Sequence, residues 1–187
     1  MKIIKNKLQT HDKKLNKYFS LLNKFDSYCW IAGGFILDYF VCQEPQETDI
    51  FFPSIKARDR ALKRIKKMGG YKINEFDNCL RVVYRKETYD LIFAGKKPEL
   101  TLDLFDYTIC CAALDKNKNF FYHEKFFEHI DNKKLHFINN RWYNGQLEKR
   151  LKRYINEGYS MDNENLKKWI NKLVDSHQKF YNKKRRR

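Results

Sequence analysis

A mixed α+β fold, with a mixed sheet flanked by helices and a small helical C-terminal region, is the architecture that this sequence predicts. Three observations carry it. A short aromatic and β-branched run, YCWIAG (residues 28–33), closes on Gly33 and Gly34 and leads into the helix-like FILDYFVC. Three strand-like runs, YKINEF, CLRVVYRK and TYDLIFA, follow one another between residues 71 and 94. From Asn144 onward only helical periodicity is left.

The elements read in order as follows. Residues 11–25 place Leu15, Tyr18, Phe19, Leu22 and Phe25 at helical spacing, which predicts an amphipathic opening helix. After the glycine turn and its buried helix, TDIFFP (48–53) reads as a strand stopped by Pro53. SIKARDRALKRIKKMGG then reads as a basic amphipathic helix, with Ser54 as N-cap and Gly69 as terminator. Beyond the three strand runs, Pro98 opens a helical turn. FDYTICCAALD alternates in strand fashion, and NFFYH with KLHFI is a candidate strand pair. NGQLEKRLKRYINEGY and MDNENLKKWINKLVDSHQKFY are the closing helices before a KKRRR tail. The expected organisation is a sheet-bearing domain over 1–140, a helical cap over 141–182 and a basic tail over 183–187.

With 187 residues, 42% of them hydrophobic and 16% aromatic, the chain has the material for a packed core and is not a disordered polymer. Lys and Arg outnumber Asp and Glu by 39 to 23, a formal charge of +16, with concentrations at residues 56–67, 147–153 and 183–187. That excess predicts a polyanionic partner, nucleic acid first. No window approaches the roughly 18 apolar residues of a membrane span, and the start lacks a signal-peptide core, so the expectation is a soluble, cytoplasmic protein with no membrane partner. The five cysteines are odd in number and show no CxxC spacing, which predicts reduced thiols; the five histidines show no zinc-ligand spacing.

Glu47 and Asp49 stand at i and i+2 where a strand begins, so their side chains leave one face about 6–7 Å apart. Paired carboxylates are the oxygen donors that Mg²⁺ or Mn²⁺ takes beside substrate phosphates. Asp90, between apolar neighbours in TYDLIFA, is a candidate third acid that a neighbouring strand would aim at the same point; three acids could hold two ions. It could equally pair with Arg81 or Arg85, and Asp106 is an alternative third acid. Gly33 and Gly34, ahead of a helix, offer backbone amides that phosphates can approach where no side chain intervenes.

The series Gly33, Gly34, Asp38, Glu47, Asp49, spread over a strand, a helix and a second strand, resembles the DNA polymerase beta-like nucleotidyltransferase superfamily. The resemblance is closest to the head domain of tRNA nucleotidyltransferases and bacterial-type poly(A) polymerases, and covers about residues 28–112. It implies that Gly33 and Gly34 meet the phosphates of an incoming nucleoside triphosphate. Asp38 belongs to the same implied nucleotide-binding set, although its place one helical turn inside also suits a carboxylate that orients the helix. The resemblance implies that Glu47, Asp49 and Asp90 are the catalytic and metal-holding acids. It further implies a template-independent, in-line attack of an RNA 3′-hydroxyl, that of tRNA among the candidates, on the α-phosphate, with release of pyrophosphate. Lys149, Arg150 and Arg153 would contact the RNA; Arg141, Trp142, Tyr143 and Tyr154 add guanidinium and aromatic groups nearby, and Trp142 and Tyr154 with Leu147 and Leu151 read in the first place as helix core.

Two positions depart from the pattern. Glu47 stands where the family has aspartate, and Leu37 where the tRNA enzymes carry an arginine. The choice of nucleotide is therefore not implied. Two further readings stay open beside RNA extension: a nucleotidyltransferase fold that binds RNA after losing turnover, and an enzyme that modifies a protein or a small molecule.

Overall fold

The computed structural model describes residues 1–8, 12–45, 47–76, 78–95, 97–138 and 147–184, leaving out the side chains of residues 14 and 176–184. The chain divides into two compact units, Met1–Asp103 with Cys110–Glu124 and Leu104–Ile109 with Lys125–Arg187.

The first unit is built on an eight-stranded mixed sheet. In chain order its elements are β1 (Ile3–Lys7), α1 (Lys13–Leu22), β2 (Trp30–Ala32), α2 (Gly34–Phe40), β3 (Thr48–Phe52), α3 (Ile55–Lys67), β4 (Tyr71–Phe76), β5 (Cys79–Tyr84), β6 (Glu87–Phe93), α4 (Pro98–Leu102), β7 (Ala112–Asp115) and β8 (Asn119–His123). The strand order is β1-β8-β7-β2-β3-β6-β5-β4. Every pair is antiparallel except β3 with β6. Both edge strands carry charge, Lys5 and Lys7 on β1 and the Lys72–Glu75 pair (2.7 Å) on β4, which discourages further strand addition.

Local chemistry accounts for most element ends. Asp12 caps α1, its Oδ1 accepting from the Leu15 amide at 3.0 Å, and Leu15, Tyr18, Phe19 and Leu22 then face the core. Ser54 caps α3 as expected, its Oγ accepting from the Ala57 amide at 3.1 Å. Ala57, Ala61 and Ile65 form the buried stripe of that helix, and Gly69 follows it in the left-handed region at φ +88°. At the core, β2 has no exposed residue, and the Trp30 indole N–H donates to Thr101 Oγ1 at 3.1 Å.

Asp115 ends β7 as a buried carboxylate, 1% exposed. It accepts from the Tyr28 hydroxyl (2.7 Å), from the amides of Asn117 and Asn119 (2.8 Å each) and from the Asn119 side chain (2.7 Å). It thereby shapes the turn into β8. Burial, and then the bond to Asp115, pushes the Tyr28 phenol above its ordinary range, so it stays a donor.

Several expectations need correction. The opening segment contains β1, which its two apolar residues do not announce; the strand exists because β8 offers an edge from Asn119 to His123. KLHFI does not pair with NFFYH: Lys134 bridges Ser160 and Phe137 bridges Tyr107, both within the second unit. FDYTICCAALD is a strand only from Ala112. Thr108–Cys110 is a 3₁₀ turn, and the Thr108 amide is spent on the His136 carbonyl at 3.1 Å.

The second unit carries α5 (Phe126–Asp131), α6 (Leu147–Asn156) and α7 (Asn163–Lys184). Tyr107, fully buried, meets Phe137 and Tyr154 edge-on at 5.9 and 5.6 Å. Tyr154 is thus a core aromatic. Asp162 caps α7 through the Asn165 amide at 2.8 Å. Arg141, Trp142 and Tyr143 lie outside the described residues, as do the last three residues of the basic tail. Among the described residues no helix is long and apolar enough to cross a membrane.

Candidate active site

Strand register brings the predicted acids together. Asp49 on β3 lies opposite Asp90 on β6, in parallel, and Asp90 lies opposite Arg81 on β5, antiparallel. Residues paired in register share a face, so Asp49, Asp90 and Arg81 form a row across three strands. Glu47 precedes β3 by one residue and, two positions before Asp49, falls on the same face. Glu47, Asp49 and Asp90 each offer a carboxylate oxygen within 4.8 Å of the others. Glu47 is exposed, Asp49 half-buried and Asp90 7% exposed.

Arg81 belongs to the same cluster. Its Nε donates to Asp90 Oδ1 at 2.8 Å and its Nη2 to Asp90 Oδ2 at 2.7 Å, while Nη2 also reaches Glu47 Oε2 at 2.5 Å. Both pairings open to Asp90, with the acids and with Arg81, are therefore realised at once. The hydrogen bond to Asp90, against the opposing effect of burial, holds the guanidinium even more firmly protonated than usual. Cys79, two residues earlier on β5, has its thiol pushed up to about 12, by burial first and then by the charges of Asp90 and Asp49. It is no thiolate nucleophile at neutral pH.

The donor set suits a hard divalent cation, because three carboxylates are the oxygen ligands that Mg²⁺ and Mn²⁺ prefer. Two of the three already attract a cation, the guanidinium, so the cluster is built for positive charge.

The glycine turn lies at the same end of the sheet. β2 pairs with β3 through Trp30–Phe51 and Ile31–Ile50, a register that runs the end of β2 toward the start of β3. Gly33 has φ 85° and ψ −139°, a conformation open in practice only to glycine. Its amide donates to the Ala112 carbonyl at 3.1 Å, and its carbonyl accepts from the Ile36 amide at 3.0 Å. Gly34 opens α2, and a Cβ added there would meet nothing within 4 Å. The two glycines therefore answer to different demands.

Gly33→Ala is expected to lose about 1–3 kcal/mol of stability through backbone strain. Gly34→Ala is expected to fold with stability unchanged or slightly raised, since alanine suits a helix better. Thermal melting separates them. A nucleotide titration then asks whether Gly34→Ala loses triphosphate affinity despite an intact fold, as a phosphate site requires; unchanged affinity would leave this turn with a structural task only.

Asp38 is 5% exposed on α2 and is not one of the three acids of the 4.8 Å group. Leu37 is fully buried, so the position where the tRNA enzymes place arginine is a core position here. In the second unit, Arg150 is paired with Asp106, whose side chain is 1% exposed, and Arg153 donates to Glu157 at 2.7 Å and lies over the Tyr154 ring. Lys149 is exposed. Asp106 is thereby engaged as the partner of Arg150.

The Gabija anti-defense 2 family protein model matches residues 2–133, and the chain belongs to that family. No curated protein sequence matches it. Among solved structures it is similar to the Thermotoga maritima CCA-adding enzyme complexed with tRNA, at TM-score 0.73 and 15% identity over 94% of this chain and 47% of that one. It is similar to a CCA-adding enzyme in apo form I, at TM-score 0.70 and 14% identity over 92% and 46%. A CCA-adding enzyme with CTP aligns at TM-score 0.67 and 14% identity, over 90% and 45%. The chain thus has the nucleotidyltransferase fold and spans just under half the length of these enzymes.

Proposed function

We propose that this chain is a divalent-metal-dependent nucleotidyltransferase that moves a nucleoside monophosphate from a nucleoside triphosphate, ATP among the candidates, to a hydroxyl acceptor without a template. The observation that carries the reading is the approach of Glu47, Asp49 and Asp90 within 4.8 Å on two neighbouring backbone segments of this fold. Mg²⁺ or Mn²⁺, when bound, would supply the positive charge that a reacting triphosphate calls for. The residues of the chain then have these tasks. Glu47 and Asp49 hold the ion at the exposed side of the cluster, and the buried Asp90, paired with Arg81, closes the inner side of the cluster. Gly33 and Gly34 let the triphosphate approach the backbone without a side chain in the way. The attacking hydroxyl must lie in line with the α-phosphate, so positioning supplies most of the rate.

An RNA 3′ end, including that of tRNA, is the acceptor favoured by the +16 charge. Lys149, Arg150 and Arg153 are proposed to steer it, Lys149 by direct phosphate contact and the two arginines from positions also tied to Asp106 and Glu157. Membership of an anti-defense family favours a second reading, in which the acceptor is a protein or small molecule of a defence system.

The test is incubation with each labelled nucleoside triphosphate, total RNA, cell protein and Mg²⁺ or Mn²⁺, with label counted separately in RNA, protein and small molecules. Label in RNA supports the first acceptor, and label elsewhere supports the second. Retained RNA binding without label anywhere would mean a fold kept for binding, with Glu47 the natural suspect for the lost chemistry.

A further inference from the structure

The guanidinium of Arg81 lies against two of the three acids. It occupies both oxygens of Asp90, through Nε at 2.8 Å and Nη2 at 2.7 Å, and one oxygen of Glu47 through Nη2 at 2.5 Å. A planar fork that binds a carboxylate through two parallel N–H groups is geometry that arginine supplies and lysine cannot. An ion ligated by those same oxygens at about 2.0–2.1 Å would put two positive centres on one pair of acids. Resting on the nucleotidyltransferase reading above, we infer that Arg81 takes the place of one cation, so that the chain holds a single divalent ion, on Asp49 and Glu47, with Arg81 as the fixed positive charge beside it.

Charge and burial both support permanence over displacement. Three carboxylates against one guanidinium leave a formal charge of −2, which one divalent ion cancels and two would overshoot. The Asp90 side chain is 10% exposed, so expelling Arg81 would strand a desolvated carboxylate until a metal shed its own water to reach it. Asp90 then acts through Arg81, as a positioning residue. Its position opposite Asp49 sets the guanidinium beside the ion. An always-charged group in that position needs no metal concentration to fill it, unlike a second ion.

The experiment is a count of bound Mn²⁺ by titration calorimetry, confirmed by the loss of the free-ion paramagnetic signal. It uses the whole chain as wild type, Asp49→Ala, Arg81→Gln and Arg81→Lys, each checked for folding by circular dichroism. The expected result is one ion per chain in the wild type, none in Asp49→Ala, and two in Arg81→Gln, where Asp90 and Glu47 are released. Arg81→Lys, which keeps the charge, should stay at one, and a further variant, Arg81→Met, which removes the charge but keeps much of the side-chain length, should also rise to two and keeps the test usable should Arg81→Gln fail to fold. Two ions in the wild type would overturn the inference, as would a count that stays at one in a folded Arg81→Gln or Arg81→Met. Those results leave the metal-dependent reading standing. Absence of binding in every variant would instead remove both.

Discussion

Asp49→Ala is expected to lower nucleotidyl transfer on the order of 10³-fold, the scale seen when one preorganised electrostatic group is deleted from an active site. The melting temperature should stay within a few degrees of the wild type. The fold is insensitive because Asp49 is a half-buried carboxylate among two others, and its removal relieves like-charge repulsion without opening a cavity. Chemistry is sensitive because, on the function proposed above, Asp49 is one of the two acids that hold the ion. Label incorporation and a thermal melt, run on the same preparation, check the two halves together. Wild-type incorporation by the variant would sink the metal reading, while a collapsed melt would show that Asp49 serves the sheet.

Asp115→Ala is the variant expected to damage the fold most among those considered. It removes a carboxylate that is 1% exposed and accepts four hydrogen bonds, and leaves the Tyr28 hydroxyl and the amides of Asn117 and Asn119 short of an acceptor. Bonds to a charged group are each worth about 1.5–3 kcal/mol and do not add, so a loss of about 3–4 kcal/mol is expected. For a chain of this length that corresponds to a fall of roughly 6–16 °C in Tm, measured by differential scanning calorimetry. Asp115→Asn should recover part of it, since one amide oxygen still accepts. A shift of less than about 2 °C in the alanine variant would mean that water replaces the carboxylate in the turn.

What could be read in the sequence was what local chemistry decides. Ser54 as a cap, the glycine turn after a short apolar strand, and the i, i+2 acids at the start of a strand each depend on neighbours a few residues away, and each is present. Asp90 could be named as an acid for the same cluster, and Arg81 as its possible partner. That both are true at once depends on β6 lying between β3 and β5 in one register, which periodicity does not encode. β1 was illegible because an edge strand with few apolar residues is stabilised by the ladder it joins. KLHFI misled because its apolar alternation serves the packing of Phe137 on Tyr107 in the second unit, with bridges in place of a ladder. Asp115 is only a strand terminus in the sequence, because Tyr28, 87 residues away, is brought beside it by the fold alone. Leu37 illustrates the reverse: its departure from the family pattern is plain in the sequence, and its full burial is not.

The order in which the acidic row can assemble follows from its connectivity. Arg81 and Asp90 sit on the two arms of one hairpin, whose loop is short, whereas Asp49 reaches Asp90 only across the connection through α3, β4 and β5 that separates the parallel strands β3 and β6. Short loops close in microseconds and distant parallel pairings close late, because the entropy of the long loop is lost before any contact compensates it. The guanidinium therefore reaches Asp90 before Asp49 does. When the last strand arrives it brings its carboxylate to an Asp90 that is already paired, so the repulsion that a bare acidic row would add at that step is reduced in advance.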